Sequence, residues 1–345
     1  MKIIIDAMGG DNAPRQIVLG ALQSAKEFGV EIVLVGRGEE LLAAMRAAGW
    51  ETLPTGVEIA NAEDIVDMHI DPAEVVRQHK GSSMVLGLKM LADGAGDAFI
   101  SAGNTGALLS AATLVVKRIR GIRRAAFAPV MPVGGGKILV DAGANTECTP
   151  EFLLQFGCMG YFYAKKAQGK ENPSVALLNN GAEDSKGDEL HKQAYQLLKK
   201  AGENGLINFI GNIEARDVPD GAADVIVADG FSGNVLLKSM EGTAIYMTKL
   251  IKQAFLHSVF TKIGALLCKK GINSMKKTMD YREIGGSVLI GISKPVIKAH
   301  GSSDSLAVRG AVRQAIRAVQ SGFCEDIRAN VAAMSARQEA GHDEA

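Results

Sequence analysis

Lys2-Ile3-Ile4-Ile5-Asp6-Ala7-Met8-Gly9-Gly10-Asp11-Asn12-Ala13-Pro14 sets the pattern that the rest of the chain repeats. A short apolar strand runs into paired glycines, which let the backbone approach a ligand with no side chain in the way. Pro14 suits the first turn of a following helix, where its missing N–H would have no partner anyway. Strand, glycine turn and helix start together form a ready anion site, with amide donors and the positive helix end facing one spot. An ordinary tight turn is the alternative; five later loops with the same grammar favour the site.

Working outward, short apolar runs alternate with longer helical patterns. The runs predict strands at Ile3–Ile5, Glu31–Val35, Val57–Ala60, Ala98–Ser101, Phe127–Val130, Ile138–Val140, Val175–Leu178, Asn208–Ile210, Val225–Ala228 and Val296–Ala299. Helices are predicted near 14–28, 39–48, 72–78, 82–93, 106–117, 150–167, 187–201, 233–250 and 303–320. Strands alternating with helices imply right-handed βαβ units and a mainly parallel sheet. There is no short-period repeat and no low-complexity linker, so residues 1–345 read as one α/β domain.

Five more polar loops follow predicted strands: Ser101-Ala102-Gly103-Asn104-Thr105-Gly106, Asp141-Ala142-Gly143-Ala144-Asn145-Thr146-Glu147, Asn179 to Gly187, Asp229-Gly230-Phe231-Ser232-Gly233-Asn234, and Lys298-Ala299-His300-Gly301-Ser302-Ser303-Asp304. Ligands of open α/β sheets bind beyond the carboxyl ends of the strands, so all six loops are expected to converge at one rim.

Composition narrows the class. A chain of 345 residues with 47% hydrophobic content can bury a substantial core, and a formal net charge of zero argues against general nucleic-acid binding. Cys148, Cys158, Cys268 and Cys324 are widely spaced, which fits a reducing compartment and offers neither a zinc site nor a disulfide framework. No secretory signal is visible, because the apolar start is short and leads into Asp6. The uncharged stretch from Ala98 to Val116 has the length of a membrane span. The polar cluster Ser101, Gly103, Asn104, Thr105 and Gly106 inside it reads better as strand, loop and buried helix.

The loops are rich in Asn, Ser, Thr, Gly and Lys, and no nucleophile elbow or phosphate-binding P-loop motif is present. Val35-Gly36-Arg37-Gly38 lacks the third glycine of a dinucleotide fingerprint and reads as a strand-to-helix turn. Cys148 lies beside a predicted helix start, where a thiol pKa can fall, although a small packing cysteine is the commoner case. What remains is a donor-rich cleft for an anion. Lys186, Lys298 and His300 supply its charge, with Asn104, Thr105, Asn145, Asn234 and Ser302 as neutral partners. Lys298 and His300, two apart at a strand end, point to the same side. Each has a plainer reading as a solvated lysine, a turn former or a helix cap.

Residues 249–282 stand apart. Ile251, Phe255, Val259, Ile263 and Leu266 recur at helical spacing, and eight basic residues accompany one acid, Asp280. Such a stretch lies on an anionic bilayer surface, docks an acidic partner, or packs on the core or a second subunit with its lysines solvated. Lys117-Arg118-Ile119-Arg120-Gly121-Ile122-Arg123-Arg124 is a second basic run, read as a docking patch for an acidic partner or a solvated helix end.

Together these motifs resemble the bacterial phosphate acyltransferases of phospholipid synthesis, the PlsX family. The resemblance is carried by IDAMGGDNAP at 5–14, SAGNTGAL at 101–108, GAN at 143–145, ENPSVALLN at 171–179, INFIGNIE at 207–214, DGFSGNVLLK at 229–238 and PVIKAHGSS at 295–303. These stretches occur in family order over nearly the whole chain. The loop from Asn179 to Gly187 departs from the pattern, since family members often carry an apolar residue after the Asn and a more acidic run.

The resemblance implies a Rossmann-like three-layer α/β/α fold akin to phosphotransacetylase and the isocitrate and isopropylmalate dehydrogenases. It implies transfer of a long-chain acyl group from acyl carrier protein to inorganic phosphate by a homodimer, with no redox cofactor or metal. The acyl phosphate would serve a membrane-bound glycerol-3-phosphate acyltransferase. The location implied is cytoplasmic with peripheral membrane association through residues 249–282. Gly9, Gly10, Asn104, Thr105, Ser302 and Lys298 are then expected to bind phosphate or the oxyanion, with His300 or Asp229 orienting phosphate or assisting proton transfer. Asp6, Ser101, Asn145, Lys186 and Asn234 complete the expected substrate-binding set. A phosphotransacetylase acting on short acyl-coenzyme A and a non-catalytic membrane scaffold are the rival readings; a dehydrogenase is disfavoured by the incomplete fingerprint.

Overall fold

The computed structural model describes residues 1–67, 70–133, 135–272 and 285–334. Strands β1 (Lys2–Asp6), β2 (Glu31–Gly36), β3 (Val57–Asn61), β4 (Ala98–Ser101), β5 (Ala126–Met131), β6 (Lys137–Val140), β7 (Ser174–Asn179), β8 (Asn208–Glu214), β9 (Val225–Val227), β10 (Ser287–Ile290) and β11 (Val296–Lys298) form one sheet. Its order is β3-β2-β1-β4-β11-β10-β5-β6-β9-β7-β8. All ten predicted strands are present. β10 was not foreseen, because its four residues are boxed between Gly285-Gly286 and Gly291 and show no extended alternation.

The helices are α1 (Arg15–Phe28), α2 (Gly38–Ala47), α3 (Val75–Gln78), α4 (Ser83–Ala92), α5 (Thr105–Ala111), α6 (Pro150–Ala167), α7 (Glu189–Glu203), α8 (Gly230–Leu256), α9 (Val259–Leu267), α10 (Ser305–Ser321) and α11 (Phe323–Asn330). A π-helical turn over Ala112–Val116 extends α5. The Ala98–Val116 stretch is thus strand, polar turn and helix, as its composition predicts. Among the described residues no helix is long and apolar enough to cross a membrane.

The two-residue period of the strands sorts the core into two layers. Ile3, Ile5, Ile100 and Ile297 pack on one face with α1, α6, α7 and α10, whereas Ile4, Phe99 and Val296 face α4 and α5 on the other. Further along that second face, Leu139, Ile226 and Ala228 receive Leu236, Leu237 and Met240 of α8.

Strand direction corrects one expectation. β3, β2, β1, β4 and β11 are mutually parallel, as are β6, β9, β7 and β8. Between these sets β11–β10, β10–β5 and β5–β6 are antiparallel. Both short connections, β5 to β6 and β10 to β11, allow only hairpins. Three reversals are an odd number, so the two parallel sets run in opposite directions. The loops after β1, β4 and β11 open at one edge of the sheet, and those after β6, β7 and β9 at the opposite edge; the six loops do not share one rim. Helix α8 starts at the second edge and runs across the α4/α5 face toward the first.

Candidate active site

At the first edge three loops are locked together. A Cβ added at Gly9 would lie 2.8 Å from the Gly103 nitrogen, and one at Gly10, whose φ is +102°, would lie 2.9 Å from the Gly301 carbonyl oxygen. Only glycine fits a positive φ in such close quarters. The Asp11 amide donates to that same Gly301 oxygen at 2.8 Å, and Asn12 Nδ2 donates to the carbonyls of Ser302 and Ser303. The glycines therefore serve loop-on-loop packing, which fixes the relative positions of the Gly9-Gly10 turn, Gly103 and the His300–Ser302 segment.

Beneath them Asp6 is fully buried. Its carboxylate accepts the Ser83 hydroxyl at 2.6 Å, the Ser101 hydroxyl at 2.7 Å and the Met8 amide at 3.2 Å. Burial raises its pKa, and these donors oppose the rise. Ser101 Oγ in turn accepts the Gly103 amide at 3.0 Å. Asp6 and Ser101 thus hold the floor of the site. Asn104 caps α5, its Oδ1 accepting from Ala107 N at 2.9 Å, and Thr105 follows as the first helical residue.

Lys298, at the end of β11, sits in register with Ser101. Its Nζ donates to the carbonyls of Ala102 and Ala299. Burial pushes its pKa down to about 8, against the pull of Asp6 and Asp11, and Lys238 of α8 lowers it further. His300 is held below its ordinary value, first by burial and then by Lys238 and Lys298, while Glu241 opposes. The Ser302 amide, which can only donate, points at His300 Nδ1 at 3.3 Å, and Ser302 Oγ lies 2.9 Å from the same atom. Nδ1 is therefore the acceptor, and the neutral ring carries its proton on Nε2.

The second edge holds a different knot. The Asp141 carboxylate accepts the amides of Phe127, Ala144 and Asn145 and the Asn145 side chain, and Asn145 Nδ2 also donates to the Ala125 carbonyl at 2.8 Å. Asp229 caps α8 by accepting from Phe231 N and Ser232 N at 3.0 and 2.9 Å. The Gly230 amide donates to the Asn145 carbonyl at 2.7 Å, and Asn234 packs over Gly143. Burial drives the Cys148 thiol up to about 11, so this cysteine is a packing residue. The knot seats the N-terminus of α8.

The structure thus brings Asp6, Gly9, Gly10, Ser101, Asn104, Thr105, Lys298, His300 and Ser302 to one edge, and Asn145, Asp229 and Asn234 to the other. Lys186, on the loop after β7, is at the second edge but among the described residues has no bond to the Asp141 knot: it is half exposed and pairs with Glu183 at 3.8 Å. Sequence reasoning missed Lys238 and Glu241, which are bonded to each other at 2.7 Å and impose their charge on His300. The signal was there, since Asn234, Lys238 and Glu241 fall at the spacing of one helix face.

Comparison with known proteins fits this layout. A fatty acid synthesis protein family profile matches residues 1–326. A phosphate acyltransferase from Alkaliphilus oremlandii is 47% identical over 335 residues, covering 97% of this chain and 98% of that one. Among solved structures, a phosphotransacetylase from Streptococcus pyogenes superposes with a TM-score of 0.61 at 18% identity, covering 93% of each chain. A 4-hydroxythreonine-4-phosphate dehydrogenase from Klebsiella pneumoniae gives 0.50 at 14% identity, covering 95% of this chain and 99% of that one. These two share the α/β architecture. The family match and the Alkaliphilus relative run through nearly every loop described above, and the chain belongs to the fatty acid synthesis protein family that includes these phosphate acyltransferases.

Proposed function

We propose that this phosphate acyltransferase moves a long-chain fatty acyl group from acyl carrier protein to inorganic phosphate, giving acyl phosphate and free carrier protein. The observation that carries the reading is the β11 end, where a half-buried lysine and a neutral histidine stand side by side. Phosphate is a diffuse anion that must lose water to attack a carbonyl, and a desolvated cation holds it without a protein nucleophile. A phosphate oxygen adds to the thioester carbon, the tetrahedral oxyanion forms, and the C–S bond then breaks to release the thiolate. Lys298 holds phosphate, with Lys238 adding charge from α8, and His300 Nε2–H is a donor for phosphate or for the oxyanion. Asp6 and Ser101 act from below by fixing the Gly103 loop.

In the same reading the whole chain works as one α/β domain, as a cytoplasmic homodimer at the membrane surface. Support for that location comes from α9, where no residue is buried and Phe260 and Leu267 are 87% and 82% exposed. Lys262 on the helix and Lys269 and Lys270 just beyond it suit an anionic bilayer. Residues 273–282 of the basic segment lie outside the described residues. Peripheral attachment would place the acyl phosphate where a membrane-bound glycerol-3-phosphate acyltransferase can take it.

The experiment is release of free carrier protein from long-chain acyl carrier protein, with and without phosphate, and with the product trapped by hydroxylamine. Phosphate-dependent release with hydroxamate formation is expected. Turnover of short acyl-coenzyme A in its place would make the protein a phosphotransacetylase.

A further inference from the structure

On the face of the sheet away from Lys298, a cavity of about 140 Å³ lies between the end of α6 and the middle of α10. Among the described residues its walls include Val130, Tyr163, Gln168, Arg313, Gln314 and Arg317. Val130 packs into the α6/α10 layer, so the sheet separates this cavity from the catalytic cleft. Its lining is unusually polar for a space inside a helix–sheet layer. Gln314 is only 7% exposed, and its Nε2 donates to the Tyr163 hydroxyl at 3.2 Å, yet its Oε1 has no hydrogen-bond partner. Gln168 Oε1 is likewise buried without a partner. Tyr163 accepts from Gln314 and keeps its own proton to donate, since burial pushes its pKa up to about 12 while the Arg317 charge opposes. Arg317 has no ion-pair partner among the described residues.

A ligand suited to this set accepts from guanidinium and phenol and also donates to an orphaned amide oxygen, Gln314 Oε1 or Gln168 Oε1. A carboxylate or sulfate only accepts and would leave both glutamine oxygens orphaned. A phosphate that retains an O–H does both, and planar guanidinium suits its oxygens. We propose that this cavity is a second oxyanion site, selective for a protonated phosphate group, either inorganic hydrogen phosphate or a small phosphomonoester. It lies apart from the cleft assigned to acyl transfer and does not depend on that assignment.

The test counts phosphate bound to the full chain by ³¹P-detected titration, using inorganic phosphate and methyl phosphate, with sulfate as competitor. The variants are Arg317→Ala, at an exposed position that leaves the core intact, and Gln314→Leu, which removes the orphaned acceptor at similar volume. Acyl transfer is measured on the same preparations. Both variants should bind one phosphate fewer than the parent at an unchanged transfer rate, and sulfate should compete at least tenfold more weakly than phosphate. Tighter binding of methyl phosphate would identify a phosphomonoester as the occupant, and tighter binding of inorganic phosphate the free ion. Equal phosphate counts in the parent and Arg317→Ala would overturn the proposal and leave the cavity to water. Failure of the acyl-transfer reading would show separately, as absence of phosphate-dependent release in the parent.

Discussion

At the scale of single residues, Lys298 decides most. Replacing Lys298 or Asn104 by Ala should cut phosphate-dependent turnover about a hundredfold, the size of effect expected for losing one aimed donor or cation. Circular dichroism should change little, Asn104→Ala should lose about 1 kcal/mol of stability with its helix cap, and near-normal turnover in both variants would sink the site. The pH profile follows from the depressed lysine. Lys298 is charged below about 8 and neutral above, so the rate should fall as pH rises through that value. Lys298→Arg should carry the alkaline limb well beyond pH 10, because arginine stays protonated. The linked effect on stability has the other sign. Between about 8 and 10.5 the unfolded chain still holds the proton that the folded one has lost, so stability rises across that window, and Lys298→Met should flatten the rise. His300, held below its ordinary value, keeps any acid limb below 6.5. The pairing of Lys298 with His300 was legible because two-residue spacing on a strand end is a geometric statement. The role of Asp6 was not: its carboxylate is taken up by Ser83, 77 residues away, and no local pattern announces such a partner.

At the scale of elements, helices and strands were legible almost to the residue where period, caps and flanking glycines agreed. α6 runs over Pro150–Ala167 as predicted, with Thr149 before it and proline at its first position. α8 was expected near 233–250 but begins earlier and ends later, at Gly230 and Leu256. The glycine-rich start looked like loop, but Asp229 caps it, and Gly233 is there because the helix crosses the Asp141 carbonyl. A Cβ at Gly233 would sit 2.0 Å from that oxygen. Gly233→Ala should therefore destabilise the protein by about 3 kcal/mol, an overpacking cost read from urea unfolding, rather than give the small gain usual for Gly→Ala within a helix. α9 gives the opposite kind of prediction. Phe260→Ser with Leu267→Ser should weaken binding to anionic vesicles by tenfold or more, given about 1.5–3 kcal/mol per buried large side chain, while acyl transfer in solution holds. Unchanged sedimentation with vesicles would remove α9 from the membrane contact.

At the scale of the molecule, local signals say where strands begin and end but not which way each one points in the sheet. The common rim expected for all six loops failed on that point. β10 decides the matter. It is the strand that sequence patterning missed, and without it the reversals between β11 and β6 cannot be counted. The two edges nevertheless cooperate, because α8 is seated by Asp141, Asn145 and Asp229 at one and presents Lys238 near the other. The central position of β10 and β11 also sets a requirement on integrity. A chain ending at residue 284 would lose both strands between β4 and β5, and should show no cooperative thermal transition by calorimetry.

The same placement has a consequence for biosynthesis. As the chain leaves the ribosome, β4 and β5 emerge early, but the two strands that join them are made only after residue 286. From the completion of β5 at Met131 until Ser287 is made, the nascent protein carries two unpaired inner edges, each a row of open backbone donors and acceptors ready to pair with a neighbouring chain. Lys298 arrives on the second of those late strands. The step that closes the sheet therefore also installs this lysine, and a chain interrupted in synthesis has neither a finished sheet nor the centre of the proposed site.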